Sequence, residues 1–272
     1  MMAKKERIDL RLVQEGFFPS REKAQAAIMA GLVYVKNERY DKPGTKVDVE
    51  LPITVKGQVH PYVSRGGLKL EKALRTFDID LTDAVVMDIG ASTGGFTDCA
   101  LQHGARLVYA IDVGYNQLDY SLRQDERVVV MERTNFRHLK AEEWEGERVR
   151  FATIDVSFIS LRLILPVLKD LLEDGGIVLA LVKPQFEAGR EQVGKHGVVR
   201  DPAVHIEVLT RMMAFSTQIG FSIRGLSFSP ITGGEGNIEF LLNLEWTNTP
   251  ADMDEMWNNQ IKETVSQAHH TF

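Results

Sequence analysis

One cysteine in 272 residues, Cys99, has no partner for an intramolecular disulfide, and no Cys/His cluster has the spacing of a zinc site. A reducing, cytoplasmic setting without a metal is therefore expected. Long apolar runs are missing as well. The opening MMAKKERIDL lacks the apolar core of a signal peptide, and no later stretch approaches the roughly 18–20 residues that a membrane span needs. A soluble protein with no membrane partner is expected. There is no internal repeat, no low-complexity tract and no surplus of basic charge: Lys and Arg number 32 against 38 Asp and Glu, for a formal net charge of −6. That balance argues against a protein that coats nucleic acid by bulk charge. The charge is unevenly spread, however, with +6 in residues 1–75 and −12 in the remainder. A basic front end precedes an acidic body.

The length suffices for one full domain and a smaller one. A helix-like stretch begins at Arg7–Leu12, and Ser20 caps a second helix over Arg21–Ala30, with Ala24, Ala27 and Ile28 at helical spacing. Short strands and tight turns follow through Leu51, so residues 1–57 read as a compact α+β module. The glycines and proline of GQVHPYVSRGG mark residues 58–67 as a linker, leaving 68–272 as the main domain. There, after a helix at Leu68–Phe77, apolar segments alternate with amphipathic ones. Ala84–Ile89, Arg106–Ile111, Arg127–Met131, Arg150–Ile154, Gly176–Val182, Phe221–Phe228 and Ile238–Trp246 are seven expected strands. Intervening helical patterns imply an α/β fold with a mostly parallel sheet covered on both faces, and Met253, Met256, Trp257, Ile261 and Val265 suggest a docked C-terminal helix.

The first of these strands runs into Asp88-Ile89-Gly90-Ala91-Ser92-Thr93-Gly94-Gly95-Phe96. Glycines at such a turn let the backbone approach a ligand, and the following helix offers unpaired N–H groups. The spacing D-x-G-x-x-x-G-G departs from the dinucleotide fingerprint. Asp88 would repel a pyrophosphate but could hold an ammonium, and S-adenosylmethionine has an ammonium and a ribose without a phosphate. Asp112 ends the next strand, about 20 residues on, where acids in such folds grip ribose hydroxyls. A ligand-free turn and an NAD site are alternatives for the turn alone; the two acids together favour the methyl donor. Asn135, in the polar turn Glu132–Asn135, is a candidate for adenine contact.

Four charged residues stand in apolar settings: Lys69, Asp155, Lys183 and Glu239. Asp155 and Lys183 end strands, where side chains can converge on a substrate. Methyl transfer to a hydroxyl needs a base, because an alcohol is a poor nucleophile at neutral pH. Paired amines and carboxylates could supply one while keeping the cluster nearly neutral.

The order Lys69, Asp155, Lys183, Glu239 resembles the K-D-K-E tetrad of the FtsJ-like 2′-O-ribose methyltransferases. Around it, SRGGLKL (64–70), DIGASTGGFTD (88–98), DVSFIS (155–160), LVKPQFE (181–187) and GNIEFLL (236–242) resemble the TlyA/hemolysin-A family. The first module resembles the S-four-type RNA-binding domain. The resemblance implies a Rossmann-like class I methyltransferase domain behind a small RNA-binding domain, acting with S-adenosylmethionine on cytidine 2′-hydroxyls of ribosomal RNA. Lys183 would be the general base, Lys69 and Asp155 would position ribose and methyl, and Glu239 would hold the lysines. The linker tetrapeptide His60-Pro61-Tyr62-Val63 departs from the Arg-Ala-Trp-Val of the mycobacterial type.

Candidate RNA contacts are Arg7, Arg11, Arg21, Lys23, Lys36 and Arg65, suited to phosphates rather than base reading. The glycine-bearing basic loop Pro184–Arg200 could close over RNA, with His196 a solvated residue on it; Cys99 reads as packing. Ribosomal RNA or a ribosomal subunit is the expected partner. A non-catalytic RNA-binding or ribosome-assembly factor is the alternative reading, and a membrane-active hemolysin conflicts with the missing signal, span and cationic amphipathic helix.

Overall fold

In the computed structural model, which describes residues 5–29, 31–56 and 60–272, the chain divides into two units, Met1–Pro61 and Tyr62–Phe272. In the first, β1 (Lys5–Arg7) leads directly into α1 (Ile8–Gln14), followed by α2 (Arg21–Met29), β2 (Val33–Val35), β3 (Glu38–Tyr40), β4 (Lys46–Asp48) and β5 (Ile53–Val55). Arg7, expected in a helix, thus belongs to a strand that pairs antiparallel with β4. Ser20 Oγ accepts from Lys23 N at 3.3 Å, the expected cap of α2. Ala30, expected as the last residue of that helix, lies outside the described residues. Lys36 and Asn37 have φ of 49° and 66°, the backbone of a two-residue hairpin turn joining β2 to β3. Ile8, Leu12, Ala24, Ala27, Ile28, Val33 and neighbours form this unit's core.

In the second unit the elements are α3 (Gly67–Phe77), β6 (Val85–Ile89), α4 (Gly95–Gln102), β7 (Leu107–Ile111), α5 (Tyr120–Arg123), β8 (Val128–Met131), β9 (Val149–Ile154), α6 (Leu165–Leu168), β10 (Leu172–Val182), α7 (Pro184–Glu187), α8 (Pro202–Gln218), β11 (Phe221–Phe228), β12 (Phe240–Trp246) and α9 (Met256–Thr271). Among the described residues the strands form a seven-stranded sheet of order β11-β12-β10-β9-β6-β7-β8. All five residues of β6 are buried, as expected of a parallel strand covered on both faces. The chain steps outward from β6 to β7 and β8, then returns to β9 on the other side of β6, so the carboxyl ends of β6 and β9 diverge around a crevice.

β12 runs antiparallel to both β10 and β11. The expected strand Ile238–Trp246 begins at Phe240, because its ladder with β10 ends at Val182↔Phe240. Glu239 therefore precedes the strand instead of interrupting it. Its side chain is free of the sheet's alternation and turns inward to Lys69. Tyr62–Gly67, read from the sequence as linker, lie in the second unit: Tyr62 is buried, Val63 N donates to Asp98 Oδ2 at 2.7 Å, and Gly67 opens α3. Gly57–Val59 of that segment lie outside the described residues. α9 is docked through buried Ile261, Val265 and Ala268, and Cys99 is fully buried.

Candidate active site

Strand ends deliver three of the four charged side chains. Asp155 follows β9, Lys183 follows its parallel neighbour β10, and the antiparallel course of β12 brings Glu239 to the same edge. Lys69 comes from α3. Lys69 Nζ donates to Glu239 Oε2 at 2.7 Å and lies 3.6 Å from Asp155 Oδ2. Lys183 Nζ is 2.5 Å from Asp155 Oδ1, an ion pair outside good hydrogen-bond geometry, and donates to Ser157 Oγ at 3.0 Å. The four residues thus form one chain of alternating charge, Glu239–Lys69–Asp155–Lys183. Two cations facing two anions make burial tolerable, since each charge has a partner. Lys69, Lys183 and Glu239 are buried and Asp155 is half-buried.

This cluster lies in the wall of a cavity of about 590 Å³, to which Arg65, Phe96, Phe158, Phe186 and His196 also contribute. A second cavity of about 350 Å³ opens over the carboxyl ends of β6 and β7, lined by Ser92, Asp112, Val113, Asn135, Phe136 and Ile164 among others. Gly90, Ser92, Asp155, Ser157 and Phe158 belong to both walls, so the tetrad and the glycine turn face joined space. Gly90 makes this approach possible: its φ is +87°, and a Cβ there would lie 2.7 Å from the carbonyl oxygen of Asp155.

Of the expected cofactor residues, Gly90, Ser92, Asp112, Asn135 and Asp155 line the smaller cavity, and Thr93, Gly95 and Phe96 the larger. Asp112 accepts from Ser92 N (2.8 Å) and Gly114 N (2.7 Å), and so ties the glycine turn to the end of β7. Two of the expected residues face neither cavity. Gly94 packs against Leu122 and Leu118, where a Cβ would meet Leu122 Cδ1 at 2.2 Å. Asp88, expected to hold an ammonium, is 1% exposed and accepts hydroxyls from Thr97 (2.7 Å) and Thr153 (3.0 Å). Burial raises its pKa to about 6. Lining neither cavity, it ties the strand beneath the turn to α4 through Thr97 and to β9 through Thr153.

Ser157, Phe158, Phe186 and Asn237 escaped the sequence reading. Phe158 is 90% exposed at φ +64°, with its ring 4.9 Å from that of Phe186. No periodicity marks it, although a large exposed aromatic beside strand-end charges is a signal in itself. Asn237 pins the Pro184–Arg200 loop, accepting from Val199 N (3.1 Å) and donating to Gly197 O (3.0 Å). His196, expected to be solvated, is exposed on this loop at the cavity wall.

The expected phosphate contacts divide. Arg11 is buried and donates to Glu15, Asp48 O and Leu51 O, which makes it a structural residue rather than a phosphate ligand. Arg7 and Arg21 both pair with buried Asp9, which Gln25 also contacts. Hydrogen bonding, from Arg7 foremost, holds that carboxyl well below its usual range. Lys23 and Lys36 are exposed on the first unit, and Arg65 is exposed at the larger cavity.

The doubly wound sheet thus brings a glycine turn at its switch point and a buried Lys-Asp-Lys-Glu cluster to one edge. Residues 62–246 match the FtsJ-like methyltransferase family and residues 6–53 match the S4 domain, so the chain belongs to the FtsJ-like methyltransferases and carries an S4 domain in front. It is 60% identical over 271 residues to a candidate rRNA methyltransferase of Bacillus subtilis, YqxC, covering 100% of this chain and 96% of that one. It is 42% identical over 252 residues to the 16S/23S rRNA (cytidine-2′-O)-methyltransferase TlyA of Mycobacterium tuberculosis, covering 92% of each. Among solved structures, a candidate hemolysin from Streptococcus thermophilus superposes with a TM-score of 0.78 at 54% identity, covering 100% of this chain and 98% of that one. No helix among the described residues is long and apolar enough to cross a membrane.

Proposed function

We propose that the protein transfers the methyl group of S-adenosylmethionine to the ribose 2′-hydroxyl of cytidine in ribosomal RNA, using Lys69, Asp155, Lys183 and Glu239. The observation that carries this reading is the 2.5 Å approach of Lys183 Nζ to Asp155 Oδ1 where the two cavities join. The name of the M. tuberculosis relative supports the choice of nucleotide.

The smaller cavity suits the cofactor. Gly90, where a Cβ would meet the Asp155 and Val156 backbone, lines its wall, Asp112 is a ribose acceptor with spare lone pairs, and Ile89, Ile111 and Phe136 give an apolar slot for a base. When bound, the cofactor supplies an electrophilic methyl whose carbon–sulfur bond breaks as the carbon–oxygen bond forms. Asp155 orients the lysines on either side of it. Once it has given up its ammonium proton to solvent, the Lys183 amine takes the proton leaving the 2′-oxygen through its free lone pair, and its hydrogen bond to Ser157 Oγ holds that amine in place. Lys69, fixed by Glu239, faces the same space and steadies the sugar oxygens. The exposed ring of Phe158 offers a face for a base to stack on.

In this reading the unit Met1–Pro61 carries the RNA-binding domain and the unit Tyr62–Phe272 is the catalytic domain. Arg7, Arg21, Lys23, Lys36 and Arg65 contact phosphates, and the protein works in the cytoplasm on rRNA or ribosomal subunits. Purified protein with tritiated S-adenosylmethionine and ribosomal subunits lacking the modification should label a cytidine 2′-oxygen. Lys183→Ala should lower the rate about 10²–10⁴-fold and leave RNA and cofactor binding in place. Binding without transfer by the wild type, on both free RNA and subunits, would overturn the enzymatic reading.

A further inference from the structure

The segment after β9 and the segment after β10 leave the sheet side by side, since the two strands pair in parallel up to Ala180↔Ile154. They are joined at three levels. Nearest the sheet, Lys183 meets Asp155 and Ser157. Farther out, Phe158 packs on Phe186 with ring centroids 4.9 Å apart. Farthest out, the Glu187 carboxylate accepts from Ser160 Oγ at 2.6 Å and from Leu161 N at 2.8 Å. Glu187 itself is anchored from behind, because Arg211 on α8 donates to its carbonyl oxygen at 3.1 Å.

Phe158 is the residue that needs such support. A bulky side chain at φ +64° with 90% of its surface exposed has little packing beyond the Phe186 ring and carries backbone strain. Such a conformation persists only where neighbouring contacts over-determine it. The Lys183–Ser157 bond fixes the loop on one side of Phe158 and the two Glu187 bonds fix it on the other. Glu187 lines neither cavity, and its carboxylate is taken up by Ser160 and Leu161. Its desolvated carboxyl titrates above the ordinary range, the mark of a group held in place at some cost.

We infer that Glu187 is a positioning residue that clasps the Asp155–Ser160 loop to α7 and thereby presents Phe158 and Ser157 to the substrate. The inference rests on the proposed methyl-transfer reading of the site, and it extends the machinery to a carboxylate outside both cavities.

The test compares Glu187→Ala, Glu187→Gln, Ser160→Ala and Phe158→Ala in the tritium-transfer assay on ribosomal subunits, with Lys183→Ala as the reference. Glu187→Ala releases both bonds and should raise KM for RNA about tenfold while lowering kcat about tenfold or more, the scale of a misplaced positioning group. Glu187→Gln still accepts from Leu161 N and can donate to Ser160, so it should restore both constants to within about twofold. Ser160→Ala removes one bond without touching the carboxylate and should fall between. The double variant Phe158→Ala with Glu187→Ala should be no worse in KM than Phe158→Ala alone, because one residue acts through the other.

Additive KM losses in the double variant, or wild-type kinetics in Glu187→Ala, would overturn the clasp. If Glu187→Ala fails to fold, Ser160→Ala and Glu187→Gln decide: wild-type KM in Ser160→Ala, or a Gln variant as impaired as Phe158→Ala, overturns it equally. Retained transfer by Lys183→Ala would instead overturn the underlying reading of the site, so the two failures are distinguishable.

Discussion

Lys69 Nζ and Glu239 Oε2 meet at 2.7 Å across 170 residues of sequence, one from the start of α3 and the other from the residue before β12. The pair is buried, and both lysines of the cluster share Asp155. Electroneutrality here is a property of the set rather than of any two members, which makes single substitutions more damaging than paired ones.

Glu239→Ala should therefore lower unfolding free energy by about 3–5 kcal/mol, the usual cost of stranding one partner of a buried pair. Lys69→Met combined with Glu239→Leu should recover most of that stability and none of the methyl transfer. Urea denaturation and the tritium assay check both halves. A single variant as stable as the wild type would count against the pairing.

Gly90 and Gly236 share φ +87° but differ in surroundings, since a Cβ at Gly90 meets the Asp155 carbonyl at 2.7 Å and one at Gly236 meets nothing within 4 Å. Gly236→Ala should cost about 1–2 kcal/mol, the left-handed penalty alone. Gly90→Ala should cost more and weaken S-adenosylmethionine binding at least about tenfold, read by calorimetry. Equal effects at the two positions would remove the close approach at Gly90 as a cause.

In the first unit, Lys23→Ala and Lys36→Ala should each flatten the salt dependence of RNA binding, reducing the log–log slope by about 0.7–0.9 per phosphate contact. Arg11→Ala should instead lower thermal stability and leave the slope alone, because its guanidinium is consumed by Glu15, Asp48 O and Leu51 O. Filter binding across a salt series separates the two classes.

Two buried groups give stability opposite pH dependences. Asp88 has its pKa raised to about 6 by desolvation, so its contribution is complete below the ordinary carboxylate range near 4 and is lost as pH rises through 6, on the order of 3 kcal/mol. His205 is lowered to about 4 by burial and by His269, against the opposing pull of Asp201. Its contribution is complete above about 6.5 and is lost as pH falls through 4. On acidification from pH 6.5 to 4, Asp88→Asn should lose stability more steeply than the wild type, and His205→Gln less steeply. Denaturant midpoints across that range provide the check.

The parallel half of the sheet was legible because buried strands such as Val85–Ile89 and Leu107–Ile111 are short apolar runs ending in glycine or acid. The charged tetrad was legible for a related reason: charges at the ends of such runs have few places to go. Asp88 is not placed by its sequence position, because a strand-end acid reads the same whether it faces the crevice or is shut in between β9 and α4, and only the Thr97 and Thr153 hydroxyls decide. Arg11 misled in the same manner, since helical spacing does not tell that two carbonyls and Glu15 await it. Phe158 depends on a left-handed backbone that no periodicity encodes.

The late position of β12 in the chain has a consequence for synthesis. It inserts between β10 and β11, two strands that precede it, and Glu239 comes with it. Until β12 emerges, Lys69 lacks the nearer of its two carboxylate partners, Glu239 at 2.7 Å against Asp155 at 3.6 Å. Sheet and charged cluster are therefore completed only when the penultimate element emerges.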